Sequence, residues 1–354
     1  MIVESLELKN FRNYNELHLS LDKGTNLLYG DNAQGKTNIL ESIYYCATTK
    51  SHRGSKDREI INFENEESHI KVKIIKKDIP YVIDIHLKKN HPKGIAINSV
   101  PIRKASELFG LLNVVCFSPE DLNIIKAGPA ERRRFIDLEL CQLEPLYVHS
   151  LINYNKTLIQ KNRLLKETYL HKDYEEVLDI YDEQLKKFGA EISEFRKKFI
   201  DELNGIIKDI HFNISGEKEN LILKYEKNEF RDLRKEELKQ KTSLSGPHRD
   251  DMAFFINEID VRTFGSQGQQ RTAALSLKLA EIELVKMKKG DYPVLLLDDV
   301  LSELDSGRQN KLLRVINDIQ TVITCTGVEE FINNNFRAAK TMYVKDGSVT
   351  VMEE

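Results

Sequence analysis

The chain has 354 residues, of which 40% are hydrophobic and 31% are charged, and its formal net charge is −3 at pH 7. This composition predicts a soluble globular protein with a substantial core, and the small net charge excludes binding to nucleic acid through an overall positive field. No apolar run is long enough to span a membrane and the N-terminus lacks the pattern of a secretion signal, so no membrane association is expected.

Cysteines and histidines indicate the redox compartment and the metal chemistry to expect. Four cysteines stand apart among apolar neighbours: Cys46, Cys116, Cys141 and Cys325. This pattern predicts buried, reduced thiols of a cytosolic protein. The nine histidines have no spacing typical of metal ligands, so no zinc site is expected.

The first 29 residues predict two strands around a polar and aromatic turn, residues 10–14, and an apolar strand-like stretch follows. The next eight residues spell G-x-x-x-x-G-K-T, the phosphate-binding P-loop: Gly30, Asp31, Asn32, Ala33, Gln34, Gly35, Lys36 and Thr37. A helix-like stretch comes after them, which completes the context that the motif requires. The glycines let backbone N–H groups converge on an anion, and the helix dipole adds positive potential.

This motif predicts a nucleotide site. Lys36 is expected to reach the β- and γ-phosphates and Thr37 to place its hydroxyl on Mg²⁺, and Asn38 is a further candidate nucleotide-binding residue. The earlier turn could place Arg12 and Asn13 beside the base or ribose. The alternative is a plain hairpin whose aromatic residues pack into the core.

A basic loop is expected after the P-loop helix. It contains four cations that could contact phosphates of a nucleotide or of a nucleic acid: Lys50, Arg53, Lys56 and Arg58. The alternative is a solvated charged loop. Residues 68–100 then alternate between apolar and polar side chains with turns between them, which predicts an antiparallel β-meander.

From about residue 120 to 240 the pattern becomes helical. Two long helices separated by a polar break at residues 171–173 predict an antiparallel arm of roughly 40 Å. An arginine triplet opens this region and provides candidate DNA contacts: Arg132, Arg133 and Arg134. The alternative is a set of surface ion pairs with Glu131 or Asp137.

The C-terminal part contains two further motifs. Residues 266–270, Ser-Gln-Gly-Gln-Gln, open a helix rich in alanine and leucine. Four apolar residues then end in Asp298 and Asp299, a Walker-B pattern in which the first carboxylate helps to hold Mg²⁺ and the second orients the attacking water.

Lys36 and Asp298 must meet at one phosphate although they lie at opposite ends of the chain. We therefore expect a bipartite head, residues 1–120 and 241–354, with an inserted helical arm at residues 121–240. The helix that opens near Ser266 offers a second anion-binding N-terminus. It makes most sense at the nucleotide of a partner subunit, which implies a two-fold dimer. The alternative is a plain helix cap.

Together these motifs resemble the ABC-type ATPase heads of the SMC and RecN proteins, and nearly the whole chain is similar to the RecF family. The matching segments are residues 10–14, the P-loop, 51–53, 57–59, 117–122, 131–137, 246–249, 266–270 and 297–305. The resemblance implies an α/β fold, with an ABC-type ATPase head that has a mixed sheet and an antiparallel β-meander, plus an inserted helical arm domain.

The resemblance also implies a function and residue roles. It implies an ATP-dependent homodimer that binds double-stranded DNA next to single-strand junctions, hydrolyses ATP slowly with stimulation by DNA, and acts with RecO and RecR to promote RecA loading. Asp299 would be the catalytic carboxylate. The residues that would act on the partner's nucleotide are Ser266, Gly268 and Gln269, and Asp305 would lie at the dimer seam.

Two positions depart from the general ABC pattern. Asp299 replaces the usual glutamate and is one methylene shorter, which fits slow hydrolysis. Thr326 stands near the place of the usual switch histidine and is the candidate γ-phosphate sensor. Two other functions remain as alternatives. The first is a transporter-type ATPase subunit, for which the helical insert is too long. The second is an SMC-like structural chromosome protein, for which the insert is too short.

Overall fold

The computed structural model describes residues 1–168, 173–327 and 338–352. Contacts divide the chain into two compact units, Met1–Asp121 with Glu281–Glu354, and Leu122–Ala280. The second unit starts where the helical arm is expected to start, but it extends to Ala280 rather than to residue 240. The reason is a strand at Asp251–Ile256 that pairs with one at Leu221–Glu226 and so folds residues beyond 240 together with the arm.

The first unit contains an antiparallel sheet with the strand order β2-β1-β4-β5-β6-β7. Its strands are β1 (Ile2–Phe11), β2 (Tyr14–Ser20), β4 (Glu67–Lys76), β5 (Ile79–Lys88), β6 (Gly94–Ile97) and β7 (Val100–Pro101). Strand β3 (Thr25–Tyr29) belongs to the second sheet. The predicted meander is therefore present as β4 to β7. Ile70, Val72 and Ile74 of β4 are fully buried, as the alternating pattern requires when one face of a sheet covers the core.

The second sheet of this unit has the order β15-β14-β3-β13-β12-β8. Its further strands are β8 (Val114–Phe117), β12 (Val294–Asp298), β13 (Thr321–Cys325), β14 (Lys340–Lys345) and β15 (Ser348–Val351). Neighbours from β14 to β8 run parallel, and β15 is antiparallel. The carboxyl ends of β3, β12 and β13 therefore lie side by side, which brings the P-loop next to Asp298 and Thr326.

Helices α1 (Lys36–Thr48), α2 (Asp57–Ile60) and α10 (Ser306–Ile316) belong to the first unit. The P-loop helix α1 is deeply buried, and Ile39, Leu40 and Ile43 are fully inaccessible. This confirms the apolar face predicted for it. A longer helix, α9 (Gln267–Lys289), spans the division between the units.

The second unit is mostly helical. Its helices are α3 (Leu122–Lys126), α4 (Pro129–Leu143), α5 (Pro145–Lys166), α6 (Tyr174–Ile214), α7 (Arg234–Gln240) and α8 (Val261–Phe264), with a small sheet of β9 (Leu221–Glu226), β10 (Asp251–Ile256) and β11 (Ile259–Asp260). Helices α5 and α6 pack together, but they have 22 and 41 residues. The two helices differ more in length than predicted. Helix α6 alone is about 60 Å long, compared with the predicted arm of roughly 40 Å. Of the predicted polar break, residues 171 and 172 lie outside the described residues.

The motif at residues 246–249 has a structural role, because buried polar contacts hold it in place. Arg196 donates to the carbonyl oxygen of Pro247 at 2.7 Å and to the adjacent Asp250 at 2.9 Å, and it is only 2% exposed. Gly246 has φ 114°, and a Cβ there would lie 2.6 Å from the hydroxyl of Tyr154. The motif is thus built into the core of the second unit, where a larger residue than glycine would not fit.

In the described parts of the chain, every helix is too short or too polar to cross a membrane. All four cysteines are buried as thiols.

Candidate nucleotide-binding site

The P-loop connects β3 to α1 and depends on its two glycines. Gly30 has φ 149° and Gly35 has φ 113°, conformations that other residues adopt only under strain. A Cβ on Gly30 would lie 2.3 Å from the carbonyl oxygen of Val344. A Cβ on Gly35 would lie 2.6 Å from Nδ2 of Asn13 and 2.8 Å from the hydroxyl of Tyr14. Both glycines are therefore required by the backbone and by the packing around it.

Lys36 is held inside the loop. Its Nζ donates to the carbonyl oxygens of Gly30 at 2.7 Å and Asp31 at 2.8 Å, and the residue is 5% exposed. Carbonyl oxygens satisfy the donors of an ammonium group without neutralising its charge. The loop therefore keeps a positive charge next to converging backbone N–H groups, which suits a phosphate.

Asp298, the last residue of β12, faces the start of α1. Its Oδ1 accepts hydrogen bonds from the hydroxyls of Thr37 and Thr324, each at 2.8 Å, and its Oδ2 lies 3.9 Å from Nε2 of His52. Burial alone would raise the pKa of Asp298. The His52, Thr37 and Thr324 side chains outweigh burial and hold the pKa below its usual value.

This pair of oxygen groups fits a magnesium ion. Mg²⁺ prefers oxygen ligands, and it binds through one or two carboxylates or hydroxyls together with phosphate oxygens. An ionised Asp298 and the hydroxyl of Thr37, 2.8 Å apart, provide such a set next to the P-loop. They are the residues that would hold the ion.

Asp299 follows directly and has the properties of a functional carboxylate. Its φ of 52° is in the left-handed region, and its N–H donates to the hydroxyl of Thr324 at 3.0 Å. Burial raises the pKa of the Asp299 carboxyl, Lys36 opposes the rise and the neighbouring Asp298 adds to it. Strained backbone and a raised pKa often occur together where a side chain takes part in chemistry.

A cleft of about 660 Å³ adjoins these groups. It is lined by Arg12, Asn13, Asn32, Ala33, Gly35, Lys36, Thr37, Asn38, Arg53, Glu59, Ile61, Phe63 and Asp299. The predicted P-loop residues, the two turn residues and the second aspartate therefore surround one space large enough for a nucleotide.

The predicted signature residues lie in the second unit, at the start of α9. The N–H of Gln269 donates to Oγ of Ser266 at 3.2 Å, and the N–H of Ser266 donates to Oε1 of Gln269 at 2.9 Å. This is a reciprocal capping box. Ser266 and Gly268 are exposed, and a Cβ on Gly268 would meet only Oγ of Ser266, at 3.9 Å. The helix N-terminus is thus preorganised and open to solvent.

Comparison with known proteins identifies the family. The model described as the RecF/RecN/SMC N terminal domain matches residues 2–350. The DNA replication and repair protein RecF of Agathobacter rectalis is 56% identical over 362 residues, with 100% of both chains covered. RecF of Lachnospira eligens is 58% identical over 359 residues, with 99% of each chain covered. The chain belongs to the RecF family.

Solved structures agree. The recombination mediator protein RecF in its ATP complex, from the RecFOR pathway, has 34% identity and a TM-score of 0.92, with 99% of this chain and 97% of that chain covered. The RecF-family resemblance and the ABC-type head fold with its mixed sheet are thereby confirmed.

Three residues of the RecF-family cleft were not predicted from the sequence: Glu59, Ile61 and Phe63. The backbone of residues 60–62 pairs with the end of β1, through Arg12 N–H to Ile60 and Asn62 N–H to Asn10. This pairing brings Phe63 to the cleft, where the ring is 85% exposed. The sequence offered no signal, since a phenylalanine two positions after the pair Ile60 and Ile61 looks like a core residue.

Arg12 lines the cleft and also forms an ion pair with the P-loop helix α1. Its guanidinium donates to both carboxylate oxygens of Glu41, at 2.8 and 2.6 Å, and to the carbonyl oxygen of Glu59 at 2.8 Å. Glu41 is fully buried, so this pair anchors α1 to the turn at residues 10–14. Asn13 donates to the carbonyl oxygen of Gln34 at 3.0 Å and accepts from Asn38 at 2.7 Å, so it supports the loop from outside.

The four cations of the basic loop, Lys50, Arg53, Lys56 and Arg58, are all exposed. Arg53 lines the nucleotide cleft and donates to Oδ1 of Asn38 at 3.2 Å. It therefore faces the side where phosphates are expected, while Lys50 and Lys56 lie in the loop and Arg58 lies in α2.

The arginine triplet behaves differently from the prediction. Arg132 is 2% exposed, and its guanidinium donates to both oxygens of Asp251 at 2.6 and 2.9 Å. It cannot contact DNA, so the expectation for Arg132 is wrong, and its ion-pair partner is one that sequence spacing does not suggest. Arg133 donates to the carbonyl oxygen of Asp250 at 2.7 Å, and Arg134 lies 3.8 Å from Glu131 and remains partly exposed.

Thr326 and Asp305 are both exposed in the first unit. Thr326 follows β13 directly, at the edge of the sheet where the P-loop begins. Asp305 caps α10 by accepting from the N–H of Arg308 at 3.0 Å. The N–H and guanidinium of Arg308 hold the pKa of Asp305 below its usual value.

Proposed function

We propose that this RecF-family protein is a slow, DNA-stimulated ATPase of recombinational repair and replication-fork maintenance. In this proposal an ATP-driven homodimer clamps duplex DNA near single-stranded gaps and, with RecO and RecR, promotes RecA loading in the cytoplasm. The observation that carries it is the meeting of Lys36, Thr37 and Asp298 at one end of a parallel sheet. The solved structure of the recombination mediator protein RecF belongs to the RecFOR pathway, which supports the choice of partners.

The first step of the proposal is ATP binding. The loop Gly30 to Asn38 surrounds the phosphates, and the ammonium group of Lys36 contacts their negatively charged oxygens. Thr37 and Asp298 hold Mg²⁺, which when bound neutralises charge on the phosphate oxygens. Arg12 and Asn13 support the loop, and the exposed ring of Phe63 offers a stacking surface for the base.

Hydrolysis depends on Asp299 in this proposal. A carboxylate whose pKa is raised by burial is a better base than an ordinary surface aspartate. Asp299 lines the cleft beside Lys36 and is suited to orient a water toward the γ-phosphate. Thr326 lies at the same sheet edge and acts as the sensor of that phosphate.

Dimerisation completes the site from a second subunit. The start of α9 is preorganised by its capping box, exposed, and free of any side chain at Gly268, so an external phosphate can approach the helix N-terminus. We assign Ser266, Gly268 and Gln269 to the partner's nucleotide and Asp305 to the seam. Loss of the γ-phosphate would then open the dimer.

DNA binding uses the exposed basic residues. Lys50, Lys56, Arg58 and Arg134 are accessible for phosphate contacts, which give affinity without reading sequence. Arg53 is exposed as well and also lines the nucleotide cleft. For the domains, we propose that residues 1–120 and 241–354 act as the ATPase head and residues 121–240 as a docking arm.

This function is tested by measuring DNA binding in the presence of ATP, in the presence of ADP and without nucleotide. We expect ATP-dependent dimers that bind duplex DNA, with gapped duplexes favoured over blunt ones. Equal binding in all three nucleotide states, or a monomer indifferent to DNA, would contradict the proposal.

A further inference from the structure

The outer face of the antiparallel sheet holds a group of potential metal ligands. In residues 1–168, 173–327 and 338–352, Glu67, His69 and His86 form the one group of three histidine or acidic side chains whose ligand atoms lie within 4.8 Å of one another. Glu67 and His69 are on β4, and His86 is on β5. The group belongs to the sheet of β4 and β5, whereas the P-loop follows β3 of the other sheet.

Strand register explains why these side chains meet. His69 is directly opposite His86 in the β4–β5 pair. The two-residue turn at Lys77 and Asp78, with φ of 48° and 63°, makes the pair next to it hydrogen-bonded, and bonded and non-bonded pairs alternate from there. Counting back, His69 and His86 form a non-bonded pair, in which side chains approach most closely.

Two observations support this count. Pro80, which has no N–H, falls at a non-bonded position of the same ladder. Val82, at another such position, directs its N–H and carbonyl to Asn98 instead of to β4. Glu67 is two residues before His69, so it projects from the same face.

The distance between the donor atoms of Glu67 and His86 approaches that between two ligands of a tetrahedral ion. Nε2 of His86 lies 3.2 Å from Oε2 of Glu67, and two ligands at ~2.1 Å from a tetrahedral Zn²⁺ are separated by roughly 3.4 Å. The imidazole of His69 stacks on that of His86, with ring centroids 4.2 Å apart and planes 7° apart. Because His69 is only partly buried, rotation of its side chain can bring a ring nitrogen into the same shell.

The surroundings leave room for an ion. Opposite His86 on β6 is Gly94, so no side chain covers that flank. Two cations flank the group, Lys9 opposite His69 and Lys88 opposite Glu67, and both are exposed, so solvent screens their repulsion.

We propose that Glu67, His69 and His86 bind a divalent transition-metal ion of the Zn²⁺ class. Two imidazoles and one carboxylate form a donor set that zinc uses when it keeps a position for water, and imidazole favours zinc, copper and nickel over magnesium and calcium. The ion would join β4 to β5 across the outer face of the sheet. The histidine spacing along the chain gave no sign of it, because 16 residues separate two ligands that the hairpin places side by side.

Calorimetric titration with Zn²⁺ tests the site. Protein freed of metal by a chelator is titrated in excess Mg²⁺, so that the Thr37 and Asp298 oxygens do not contribute. We expect one equivalent of Zn²⁺ to bind, and His69→Ala, His86→Ala and Glu67→Gln each to weaken binding by ~10-fold or more. Co²⁺ added in place of Zn²⁺ should give a visible absorption spectrum that the same variants lose.

The control is His18→Ala. His18 faces Glu16 at 3.2 Å on β2, the same separation as between His86 and Glu67, but with two donors instead of three. This variant should bind Zn²⁺ as the unaltered protein does. Absence of binding by the unaltered protein, or equal affinity in the His69→Ala and His86→Ala variants, would overturn the proposal. Because these side chains are on the outer face, circular dichroism of each variant should be unchanged.

Discussion

Thr37 and Asp298 are joined by a hydrogen bond of 2.8 Å although 261 positions separate them in the chain. Parallel pairing of β3, β13 and β12 produces this contact, because their carboxyl ends align at one sheet edge. The two halves of the first unit therefore contribute one half each to the candidate site.

Lys36→Ala should weaken ATP binding by about 10- to 100-fold, because a charge-assisted contact contributes ~1.5–3 kcal/mol. Titration with a fluorescent ATP analogue measures it. Lys50→Ala, an exposed lysine just after the same helix, is the control and should bind as the unaltered chain does. Equal affinity in the two variants would remove Lys36 from the phosphate site.

Asp299→Asn should keep ATP binding but slow hydrolysis by about 10²–10⁴-fold, since an amide cannot act as a base. Single-turnover phosphate release separates binding from chemistry. The variant should accumulate as a long-lived ATP-bound dimer. Rapid phosphate release would show that another group orients the water.

Asp298→Asn and Asp299→Asn should shift stability in opposite directions at neutral pH. The pKa of Asp298 is depressed on folding, so its carboxylate stabilises the fold above the unfolded pKa, and the effect disappears as pH falls through the folded pKa. The pKa of Asp299 is raised, so its charge destabilises the fold at neutral pH.

Thermal unfolding without nucleotide measures the stability changes of these two variants. At neutral pH the Asp298→Asn variant should melt below the unaltered chain and the Asp299→Asn variant above it. Both differences should vanish in acid, where each carboxyl is protonated in both states. Shifts of the same sign, or shifts that persist in acid, would contradict the assigned electrostatics.

Phe63→Ala should reduce ATP affinity by about 1–3 kcal/mol, the range for stacking a base on an aromatic ring. Its ring is already exposed, so the fold should not depend on it. Phe212→Ala, which removes another partly exposed ring, from α6, provides the comparison. If the two variants bind ATP equally well, Phe63 is not a base contact.

The local motifs predicted most of the residues that line the cleft, whereas long-range pairing was invisible to them. The P-loop, the β-meander and the ends of the parallel strands follow from glycine positions and apolar patterns that act over a few residues. Phe63 could not be found this way, because its exposure depends on the pairing of residues 60–62 with β1. Arg132 was misassigned for the same reason, since Asp251 is 119 positions away.

The end of the second contact unit, at Ala280, was hidden from the sequence for a related reason. The helical pattern ends near residue 240, but the sheet of β9 and β10 joins residues on both sides of that point. Cross-strand partners are specified by packing over the whole unit, so composition along the chain does not reveal them.

Dimerisation requires a separate test of the signature helix. Ser266→Arg should leave ATP binding intact and block ATP-dependent dimers, because the new side chain would occupy the space in front of α9. Thr350→Arg, which changes an exposed hydroxyl residue on the edge strand β15, should still dimerise. Light scattering with and without ATP distinguishes the two.

Mixing two defective variants tests the central claim most directly. Lys36→Ala keeps an intact signature helix, and Ser266→Arg keeps an intact P-loop, so a mixed dimer contains one complete nucleotide site. Analytical ultracentrifugation, at an ATP concentration that saturates the unaltered chain but leaves Lys36→Ala mostly unbound, should find each variant alone as a monomer and the mixture as a heterodimer. A mixture that stays monomeric, or dimers of Ser266→Arg alone, would contradict a nucleotide shared between two subunits.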